Sequence, residues 1–366
     1  MLDKLRKDID RIDKELVRLF EERMDTAKKV GEYKKENNID ILNSKREAEV
    51  LKNRVGLLEN KDYEKYTEDF FENIMMLSRN LQSTIVNNNQ STKKVVYCGD
   101  AGCYAEEAGV KYFGENADIF GTTSFSEVFK TVETGGADFG VLPIENTSTG
   151  YIRDVLDLLA QYNCSIAGET ELSIRHCLLG TQDAKVSDAL EIYSHEQGLQ
   201  QSQEFLSELS GVKTIPYINT ATSAKLVASL NDKTKMAIAS ERAGKLYGLK
   251  VLKKNINQKT INTTRFIIIT KQRVVSADCD KISVAFCLEH KSGSLCRVLT
   301  HFSDAGLNLL HIESRPLPNK NYEYLFHVDF SGSLLSEDVK KALSLVKAEC
   351  TMLKVFGNFK SYKSEE

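Results

Sequence analysis

The sequence lacks the short motifs that commonly bind metals and nucleotides. None of its eight cysteines forms a Cys-x-x-Cys pair, and its six histidines include no His-x-x-x-His spacing. We therefore expect no metal site and no disulfide, with the thiols reduced and mostly buried. Neither a Gly-x-Gly-x-x-Gly sequence nor a Walker-type loop is present, so nothing in the sequence supports a nucleotide, and we expect no cofactor.

The chain also lacks an excess of positive charge and a long apolar run. Its formal net charge is −3, which argues against nucleic acid as the main partner. No stretch approaches the roughly 20 apolar residues of a membrane-spanning helix, and the first residues are too charged for a signal peptide. We expect a cytoplasmic protein with no membrane contact. The 366 residues, 41% hydrophobic and 28% charged, are typical of a soluble protein of about two to three domains.

Helical periodicity dominates the first quarter of the chain. Apolar residues recur every three or four positions between residues 5 and 36, with no proline. This spacing predicts one long amphipathic helix with a coiled-coil-like seam. Shorter helices are predicted over residues 44–58 and 63–85. Helices of such unequal length cover one another poorly, so we expect the long helix to pair with its copy in a second chain.

Two cationic side chains of the long helix can act together. Arg23 and Lys34 are eleven residues apart, which places them within roughly 20° of one face and about 16 Å apart along the axis. They could converge on one dianion, whereas Arg6 points about 100° away from Arg23 and would serve a different site, such as the partner chain's. On the third helix, Ser78 and Gln82 share a face. A solvated charged face is the alternative interpretation.

Residues 1 to about 85 resemble the all-helical chorismate mutase domain of aromatic-biosynthesis enzymes. The matching positions are Leu5-Arg6, Glu22-Arg23, Gly31-x-x-Lys34, Arg46-Glu47, and Ser78 with Gln82. The resemblance implies a dicarboxylate site with these members: Arg6 of the second subunit, Arg23 and Arg46 at the carboxylates, Lys34 and Gln82 at the ether oxygen, Glu47 at the ring hydroxyl, and Ser78 in the wall. Such a rearrangement needs only a folded substrate and positive charge at the breaking ether bond. Asn43 is a departure, because some relatives carry an acid there.

After a polar linker over residues 83–92, predicted strands and helices alternate. The predicted strands cover 95–98, 139–144, 176–179, 191–194, 236–240 and 264–269. The predicted helices pass through 105 and 108 and cover 125–133, 153–162, 198–209 and 222–229. This order predicts two α/β lobes with a cleft between them.

Three polar clusters adjoin apolar strands in this region, two of them after a strand and the third just before the apolar run 267–269. They are Glu145-Asn146-Thr147, Ser194-His195-x-Gln197 and Asn262-Thr263-Thr264-Arg265-Phe266. Open α/β sheets bind ligands at such strand ends. A hydroxyl next to a fixed cation, at Thr264-Arg265, suits an acid-assisted reaction on an anionic substrate. The turn Gly99-Asp100-Ala101-Gly102 adds backbone N–H groups that suit a carboxylate.

Residues 94 to about 270 resemble prephenate dehydratase. The matching motifs are Gly99-x-x-Gly102, Leu142 to Thr147 followed by Gly150, Tyr193-Ser194-His195-x-Gln197, Asn219-Thr220-Ala221 and Thr264-Arg265-Phe266. The resemblance implies a bilobed fold like that of periplasmic binding proteins and makes Thr264 the leading candidate for a hydrogen bond or proton to the departing ring hydroxyl. It implies that the substrate is bound or oriented by Gly102, Glu145, Asn146, Thr147, Ser194, His195, Gln197, Asn219, Arg265 and Phe266. An orienting or structural role for His195 is at least as good as an acid role.

One stretch departs from the dehydratase pattern. The family usually carries small hydroxyl residues after the second glycine, whereas this chain has Gly102-Cys103-Tyr104-Ala105. If those hydroxyls contact the substrate, binding is weaker here. If the backbone binds the substrate, nothing is lost.

After a second linker, residues 281–360 predict a βαββαβ order, a ferredoxin-like unit. This region resembles an ACT regulatory domain. Gly293-Ser294-Leu295 and Glu313-Ser314-Arg315-Pro316 match the phenylalanine-binding motifs of dehydratase-linked members. The resemblance implies feedback inhibition by L-phenylalanine.

Taken together, the resemblances predict a multidomain chain with an all-α domain over 1–90, a bilobed α/β domain over 94–271 and an α+β domain over 281–360. They imply a bifunctional enzyme that converts chorismate to prephenate and prephenate to phenylpyruvate, acting as a homodimer or higher homo-oligomer. Two alternatives are a mutase whose dehydratase site is inactive and a non-catalytic amino-acid sensor. Turnover distinguishes them.

Overall fold

The computed structural model describes residues 2–37, 39, 44–87, 92–258, 262–273, 276–316 and 324–362, and within these it describes only the backbone of 44–45, 47–48, 80 and 83–87. The chain divides into two compact units, Met1–Ser91 and Thr92–Glu366. The regions predicted as the second and third domains therefore lie in one unit. Over the described residues, no helix is both long and apolar enough to cross a bilayer.

The first unit contains the three predicted helices. They are α1 (Leu2–Glu36), α2 (Ser44–Val55) and α3 (Glu64–Asn87), with a single 3₁₀ turn at Lys61–Tyr63 before α3. The C-terminal third of α1 packs on α3, where a Cβ on Gly31 would lie 3.2 Å from the Cα of Gln82. A glycine at this position therefore lets the two helices approach closely.

The N-terminal part of α1 is uncovered within this chain. Residues 2–22 are all exposed. They include an apolar row at helical spacing, which comprises Leu2, Leu5, Ile9, Ile12 and Leu16. Their exposed fractions range from 45% for Leu16 to 60% for Leu2. Monomeric soluble proteins rarely expose a contiguous apolar row of this length.

The second unit begins with an α/β lobe, the first lobe. Its elements are β1 (Lys94–Cys98), α4 (Tyr104–Phe113), β2 (Asp118–Thr122), α5 (Phe125–Glu133), β3 (Phe139–Asn146), β4 (Gly150–Tyr151), α6 (Arg153–Gln161) and β5 (Ser165–Ser173). The chain leaves the lobe after β5 and returns later with one strand, β11 (Thr263–Thr270). The sheet order is β2-β1-β3-β11-β5, with β4 paired to β3. Strand β11 is thus an inner strand, antiparallel to both neighbours.

The residues between these two passages form the second lobe. It contains β6 (Cys177–Gly180), β7 (Glu191–Ser194), α7 (Glu196–Gln201), α8 (Gln203–Ser207), β8 (Lys213–Pro216), α9 (Thr220–Leu230), β9 (Lys235–Ala239), α10 (Glu241–Leu246) and β10 (Lys250–Lys253). Its sheet order is β10-β6-β9-β7-β8. The two-lobed α/β arrangement expected from the sequence is confirmed, and the chain crosses between the lobes twice.

The C-terminal part of the second unit has the predicted βαββαβ order. Its elements are β12 (Lys281–Leu288), α11 (Ser294–Asp304), β13 (Leu309–Pro316), β14 (Tyr324–Ser331), α12 (Glu337–Glu349) and β15 (Cys350–Phe359), in the sheet order β13-β14-β12-β15. One face of this sheet packs on α11 and α12. Its other face packs on the first lobe, with Ala285, Phe356 and Phe359 in the same core as Leu142 and Ile267.

The sequence-based prediction missed several elements. Strand β5 was not predicted, because Gly168, Glu169 and Glu171 interrupt its apolar pattern, yet Glu169 is buried through ion pairs described below. Strands β2, β8 and β10 and helix α10 are short and were also missed. The helix predicted over 198–209 is two short helices, which meet at Ser202.

Candidate active sites

A groove on the first unit gathers several of the predicted mutase residues. It has a volume of about 480 Å³ and is lined by Leu19, Glu22, Arg23, Thr26, Ala27, Val30, Ser78 and Gln82. The guanidinium of Arg23 donates to Ser78 Oγ and, at 3.3 Å, to the Ile74 carbonyl. Burial, with a smaller contribution from Arg54, lowers the pKa of Arg23. Gln82 is 8% exposed, and its Oε1 has no hydrogen-bond partner among the described residues.

Among the other predicted mutase residues, Arg6, Lys34 and Arg46 do not line this groove. Arg6 is exposed and lies 3.8 Å from Asp3, about 26 Å along α1 from Arg23 by helical rise. It is therefore too far away to reach the groove of its own chain. Arg46 is exposed and donates to Glu49 at 2.9 Å, and Lys34 is partly exposed. The side chain of Glu47 lies outside the described residues.

The second unit has a cavity of about 510 Å³ between its two lobes. Predicted residues Asn146, His195, Gln197, Asn219, Thr264 and Phe266 line it, together with Cys103, Tyr104, His176 and Gln201. Its described lining contains no aspartate, glutamate, lysine or arginine. Tyr104, Phe125 and Thr220, the first residues of α4, α5 and α9, lie in the wall. Helix N-termini and neutral polar groups are thus the features that favour an anion here.

Thr264 is held from one side by an amide. Asn146 Nδ2 donates to Thr264 Oγ1 at 2.8 Å and to Asn262 Oδ1 at 2.8 Å. The Asn146 Oδ1 accepts from the backbone N–H of Ser148 at 2.8 Å. Thr264 lines the cavity, and the described residues offer no acceptor for its hydroxyl proton. The hydroxyl can therefore donate to a group bound there.

A second group of residues continues this network, and the sequence analysis missed its members. Asn262 Nδ2 lies 2.9 Å from Gln201 Oε1, which in turn lies 3.0 Å from His176 Nε2. His176 Nδ1 lies 3.1 Å from the Tyr104 hydroxyl. Burial lowers the pKa of His176 to about 4, against a smaller opposing effect of the bond to Gln201. Asn262 was noted only as part of a motif, and His176 only as the start of a strand.

Five predicted dehydratase residues do not line the cavity: Gly102, Glu145, Thr147, Ser194 and Arg265. Ser194 is fully buried and donates to the Ile238 carbonyl at 2.7 Å. Thr147 Oγ1 accepts from Thr263 N at 3.0 Å, and Gly102 N donates to Glu106. The Glu145 carboxylate accepts from Arg265 at 3.1 Å. These residues support the segments that form the cavity.

Arg265 has a different position from the one expected. It lies on the opposite face of β11 from Thr264, and its guanidinium contacts Glu145, Glu169 and Asp329 at 2.9–3.2 Å. Lys281 contacts Glu169 at 2.9 Å and Asp329 at 3.9 Å. We call these five residues the interdomain ion cluster, because Lys281 and Asp329 belong to the C-terminal sheet. Burial by itself lowers the pKa of Arg265, but Asp329, Tyr151 and Glu169 outweigh it and raise that pKa.

Cys103 occupies the position where the family usually has a hydroxyl. It is the N-cap residue of α4, and its side chain makes no capping hydrogen bond. Burial raises the pKa of its thiol to about 12, so the side chain is neutral at physiological pH. Any contact at this end of α4 therefore comes from the backbone or from a weak S–H donor.

The two predicted effector motifs of the C-terminal region lie partly together. Ser294 and Leu295 line a cavity of about 160 Å³ with Tyr324 and Phe326. Ser314 pairs with Phe326, and Pro316 pairs with Tyr324, in the β13–β14 ladder. Paired residues of an antiparallel ladder share a face, so this part of the second motif lies on the side of the cavity.

The other two residues of the second motif, Glu313 and Arg315, alternate in β13 with Ser314 and Pro316 and lie on its opposite face. Glu313 is half-buried. Arg315 donates to both carboxylate oxygens of Asp157 in α6, at 3.1 and 2.6 Å. Gly293 has φ 79° and is the N-cap of α11, a backbone conformation that favours glycine.

No group of three or more potential metal-binding side chains occurs within the described parts of the chain.

The fold and the two candidate sites together define a class of protein. The chain combines a helical unit, whose groove presents an arginine, with a two-lobed α/β unit, whose cavity presents an oriented hydroxyl among neutral polar groups.

Comparison with known proteins gives the family. The model of the chorismate mutase type II family matches residues 5–83, and that of the prephenate dehydratase family matches residues 95–274. A bifunctional chorismate mutase/prephenate dehydratase of Aquifex aeolicus is 35% identical over 360 residues, 98% of this chain and 97% of that protein. The chain belongs to the family of bifunctional chorismate mutase/prephenate dehydratases.

Solved structures agree with this assignment for the second unit. Prephenate dehydratase from Arthrobacter aurescens, in complex with L-Phe, has a TM-score of 0.67 and 26% identity, covering 73% of this chain and 89% of that one. The enzyme from Staphylococcus aureus has a TM-score of 0.64 and 28% identity, covering 73% of this chain and 100% of that one.

Proposed function

We propose that Thr264 assists the departure of the ring hydroxyl when this enzyme converts prephenate to phenylpyruvate. The single observation that carries the proposal is the bond from Asn146 Nδ2 to Thr264 Oγ1. It makes Thr264 an acceptor toward the protein and leaves its proton for the cavity. Loss of carbon dioxide and hydroxide makes the ring aromatic, so the enzyme has only to stabilise the charge that develops on the leaving oxygen.

The two substrate carboxylates are bound without charged side chains. The first turns of α4, α5 and α9 lie at the cavity wall, and their backbone N–H groups and dipoles favour anions. Gln197 and Asn219 supply amide donors from the second lobe. The replacement of a hydroxyl by Cys103 is tolerated because the backbone of α4 is the principal donor at that end.

The mutase reaction takes place in the groove of the first unit. Arg23 binds a carboxylate there, and Gln82 faces the ether oxygen with its amide. Arg46, Lys34 and Glu47 complete the site from the C-terminal end of α1 and from α2. Arg6 belongs to the site of a second copy, because it is too far from the groove of its own chain.

A second copy of the chain covers the exposed apolar row of α1. The row comprises Leu2, Leu5, Ile9, Ile12 and Leu16 and has the spacing of a helix-pairing seam. Pairing would bury these side chains and bring Arg6 to the partner's groove. The functional mutase is therefore a homodimer or a higher homo-oligomer.

L-phenylalanine regulates the dehydratase through the C-terminal βαββαβ region, which acts as an ACT regulatory domain. The small cavity beside Ser294 and Leu295, near Ser314 and Pro316, is its binding site, completed by a second subunit. The similar enzyme from Arthrobacter aurescens was solved in complex with L-Phe, which supports this assignment. Arg315, through Asp157, fastens the motif to the first lobe.

The interdomain ion cluster transmits the regulatory signal, because Arg265 is adjacent to Thr264 and contacts Asp329. An Asp329→Asn variant keeps the shape but leaves two cations facing two carboxylates. We expect L-phenylalanine to bind it with an affinity within about threefold of wild type but to inhibit the dehydratase at least about fivefold less effectively. Calorimetry and inhibition curves measure the two quantities.

Glu337→Gln is the matched control for Asp329→Asn. Glu337 also forms an ion pair in the C-terminal region, with Lys340, but its side chain is 86% exposed, and exposed pairs contribute little. Unchanged inhibition of this control is expected. Wild-type inhibition of Asp329→Asn would exclude the cluster as the route of regulation.

The catalytic assignments are tested by assaying the purified chain with chorismate and with prephenate. Phenylpyruvate formation well above an enzyme-free blank is expected, together with chorismate consumption. Consumption of chorismate without phenylpyruvate formation would favour a mutase with an inactive dehydratase site. Loss of both activities would favour the non-catalytic sensor.

A further inference from the structure

We infer that His176 and Asn262 are positioning residues of the dehydratase site: through Gln201 and Asn146, they hold Thr264 with its hydroxyl proton directed into the cavity. The inference rests on the proposed role of Thr264. Asn262 is 5% exposed, does not line the cavity and cannot touch the substrate. His176 is 3% exposed and lines the wall on the side of the second lobe.

The direction of this network is fixed by one backbone group. Ser148 N–H can only donate, so the Asn146 atom that it contacts at 2.8 Å is the carbonyl oxygen. The other end of Asn146 is therefore the NH₂ group, which has two hydrogens to donate. They go to Asn262 Oδ1 and to Thr264 Oγ1.

The same argument extends through two more side chains. Because Asn262 Oδ1 accepts from Asn146, the opposite end of Asn262 is its NH₂ group, which donates to Gln201 Oε1 at 2.9 Å. Gln201 Oε1 thus already accepts one hydrogen bond when it meets His176 Nε2 at 3.0 Å. A carbonyl oxygen can accept a second bond, so His176 must carry its proton on Nε2.

The network therefore assigns one tautomer to a neutral histidine. With the proton on Nε2, Nδ1 is an acceptor for the Tyr104 hydroxyl at 3.1 Å. A proton on Nδ1 would leave Nε2 facing Gln201 Oε1, two acceptors against each other. Turning Gln201 to relieve this contact would set its NH₂ group against that of Asn262. Only the Nε2–H form satisfies every member.

Two members of the network, His176 and Asn262, lie where the chain crosses between the lobes. Ile174 N donates to the Asn262 carbonyl at 2.7 Å, and the Asn257 side chain bonds to His176 N at 2.6 Å and to the Ile174 carbonyl at 3.1 Å. Gln201 belongs to the second lobe, whereas Asn146 and Thr264 belong to the first. The orientation of Thr264 is therefore set from both lobes.

The tautomer of His176 tests the direction of the network in the wild-type chain, with one variant needed only for assignment. The chain has six histidines, so ¹⁵N-histidine labelling gives a tractable spectrum, and a His176→Gln variant identifies the resonance. We expect the Nε2–H form with no titration near neutral pH, since burial lowers the pKa of His176 to about 4. The Nδ1–H form would overturn the inference.

Steady-state kinetics test the consequence for catalysis. Asn262→Leu and His176→Leu are expected to lower the dehydratase kcat by about 10- to 100-fold, the loss typical of a misplaced reacting group, with KM changed less than about threefold. His176→Gln, which keeps a donor toward Gln201, is expected to recover part of the kcat that His176→Leu loses. Thermal melts and L-phenylalanine binding report whether each variant is folded.

Asn257→Ala is the matched control. Asn257 bonds to the backbone of the connecting segment, including His176 N, but to no side chain of the network. Its loss should therefore lower the melting temperature and leave kcat within about threefold of wild type. An equal loss of kcat in the folded control would overturn the inference, as would wild-type kcat in folded Asn262→Leu and His176→Leu. A Thr264→Val variant is assayed in parallel. If that variant is fully active, the proposed role of Thr264 itself is wrong, and this result is distinct from a failure of the network.

Discussion

A Thr264→Val variant is expected to form phenylpyruvate about 10²- to 10⁴-fold more slowly than the wild-type enzyme, the range that a positioned proton donor contributes. Valine keeps the branched shape of threonine and removes only the hydroxyl, so the cavity keeps its form. The departing hydroxide then lacks the one described donor whose proton is directed to it. The kcat for prephenate measures the loss.

Two comparisons make this result specific. Thr264→Ser keeps the hydroxyl and should retain kcat within about tenfold, because the bond from Asn146 still orients it. Valine leaves one Asn146 hydrogen without an acceptor, at a cost of roughly 1–3 kcal/mol in stability, which a melt records. The mutase activity of each preparation serves as its concentration standard. Activity of Thr264→Val equal to that of Thr264→Ser would remove the hydroxyl from the mechanism.

An Arg23→Ala variant is expected to lower kcat/KM for chorismate by about 10²- to 10³-fold, the usual cost of truncating a partly buried cation that meets a carboxylate. Arg23 is anchored by Ser78 and by the Ile74 carbonyl, so its guanidinium enters the groove already oriented. The rate of prephenate formation measures the effect.

Arg18→Ala is the matched control for Arg23→Ala. Arg18 lies on the same helix, but it is exposed and does not line the groove. It pairs with Glu15 and with Glu22, of which only Glu22 belongs to the groove lining. It should leave kcat/KM nearly unchanged. Similar losses in both variants would mean that the general charge of α1 matters and that the groove is not the mutase site.

Local sequence patterns predicted most of this architecture because they are short-range. The 3.6-residue period located α1 to α3, and turn residues separated the strands of the two lobes. Thr264 was noted as a hydroxyl at the mouth of an apolar strand, and the resemblance to prephenate dehydratase made it the leading candidate for the reacting group. The exposure of α1 was also predicted, since α2 and α3 are too short to cover it.

Arg265 shows where the sequence analysis neglected an available signal. Strand residues alternate between faces, so Thr264 and Phe266 could be assigned to one face and Arg265 to the other. The cation was instead assigned to the substrate because it is adjacent to Thr264. Its actual partners, Glu169 and Asp329, are 96 and 64 residues away, and no local pattern connects them.

The network behind Thr264 could not be predicted for a related reason. Asn146 and Asn262 are 116 residues apart, and Asn262 and Gln201 are 61 apart. Each is a common polar residue near a strand end, where a solvated loop is the ordinary interpretation. Only the folded chain brings them together and makes the direction of their hydrogen bonds readable.

The central claim is that Asn146 donates to Thr264 and so leaves the Thr264 proton for the substrate. Asn146→Asp tests it most directly, because a carboxylate cannot donate and would instead accept that proton. Burial raises the pKa of the new carboxyl group. At a pH below this pKa the protonated acid again donates to Thr264, and at a pH above it the donor is lost.

The measurement is the dehydratase kcat of Asn146→Asp against pH, at saturating prephenate and with an enzyme-free blank because prephenate is acid-labile. We predict that the kcat of Asn146→Asp is low at alkaline pH and rises as the pH falls through the new pKa. The wild-type profile should show no such step. A kcat close to wild type at alkaline pH, with no such step, would contradict the account.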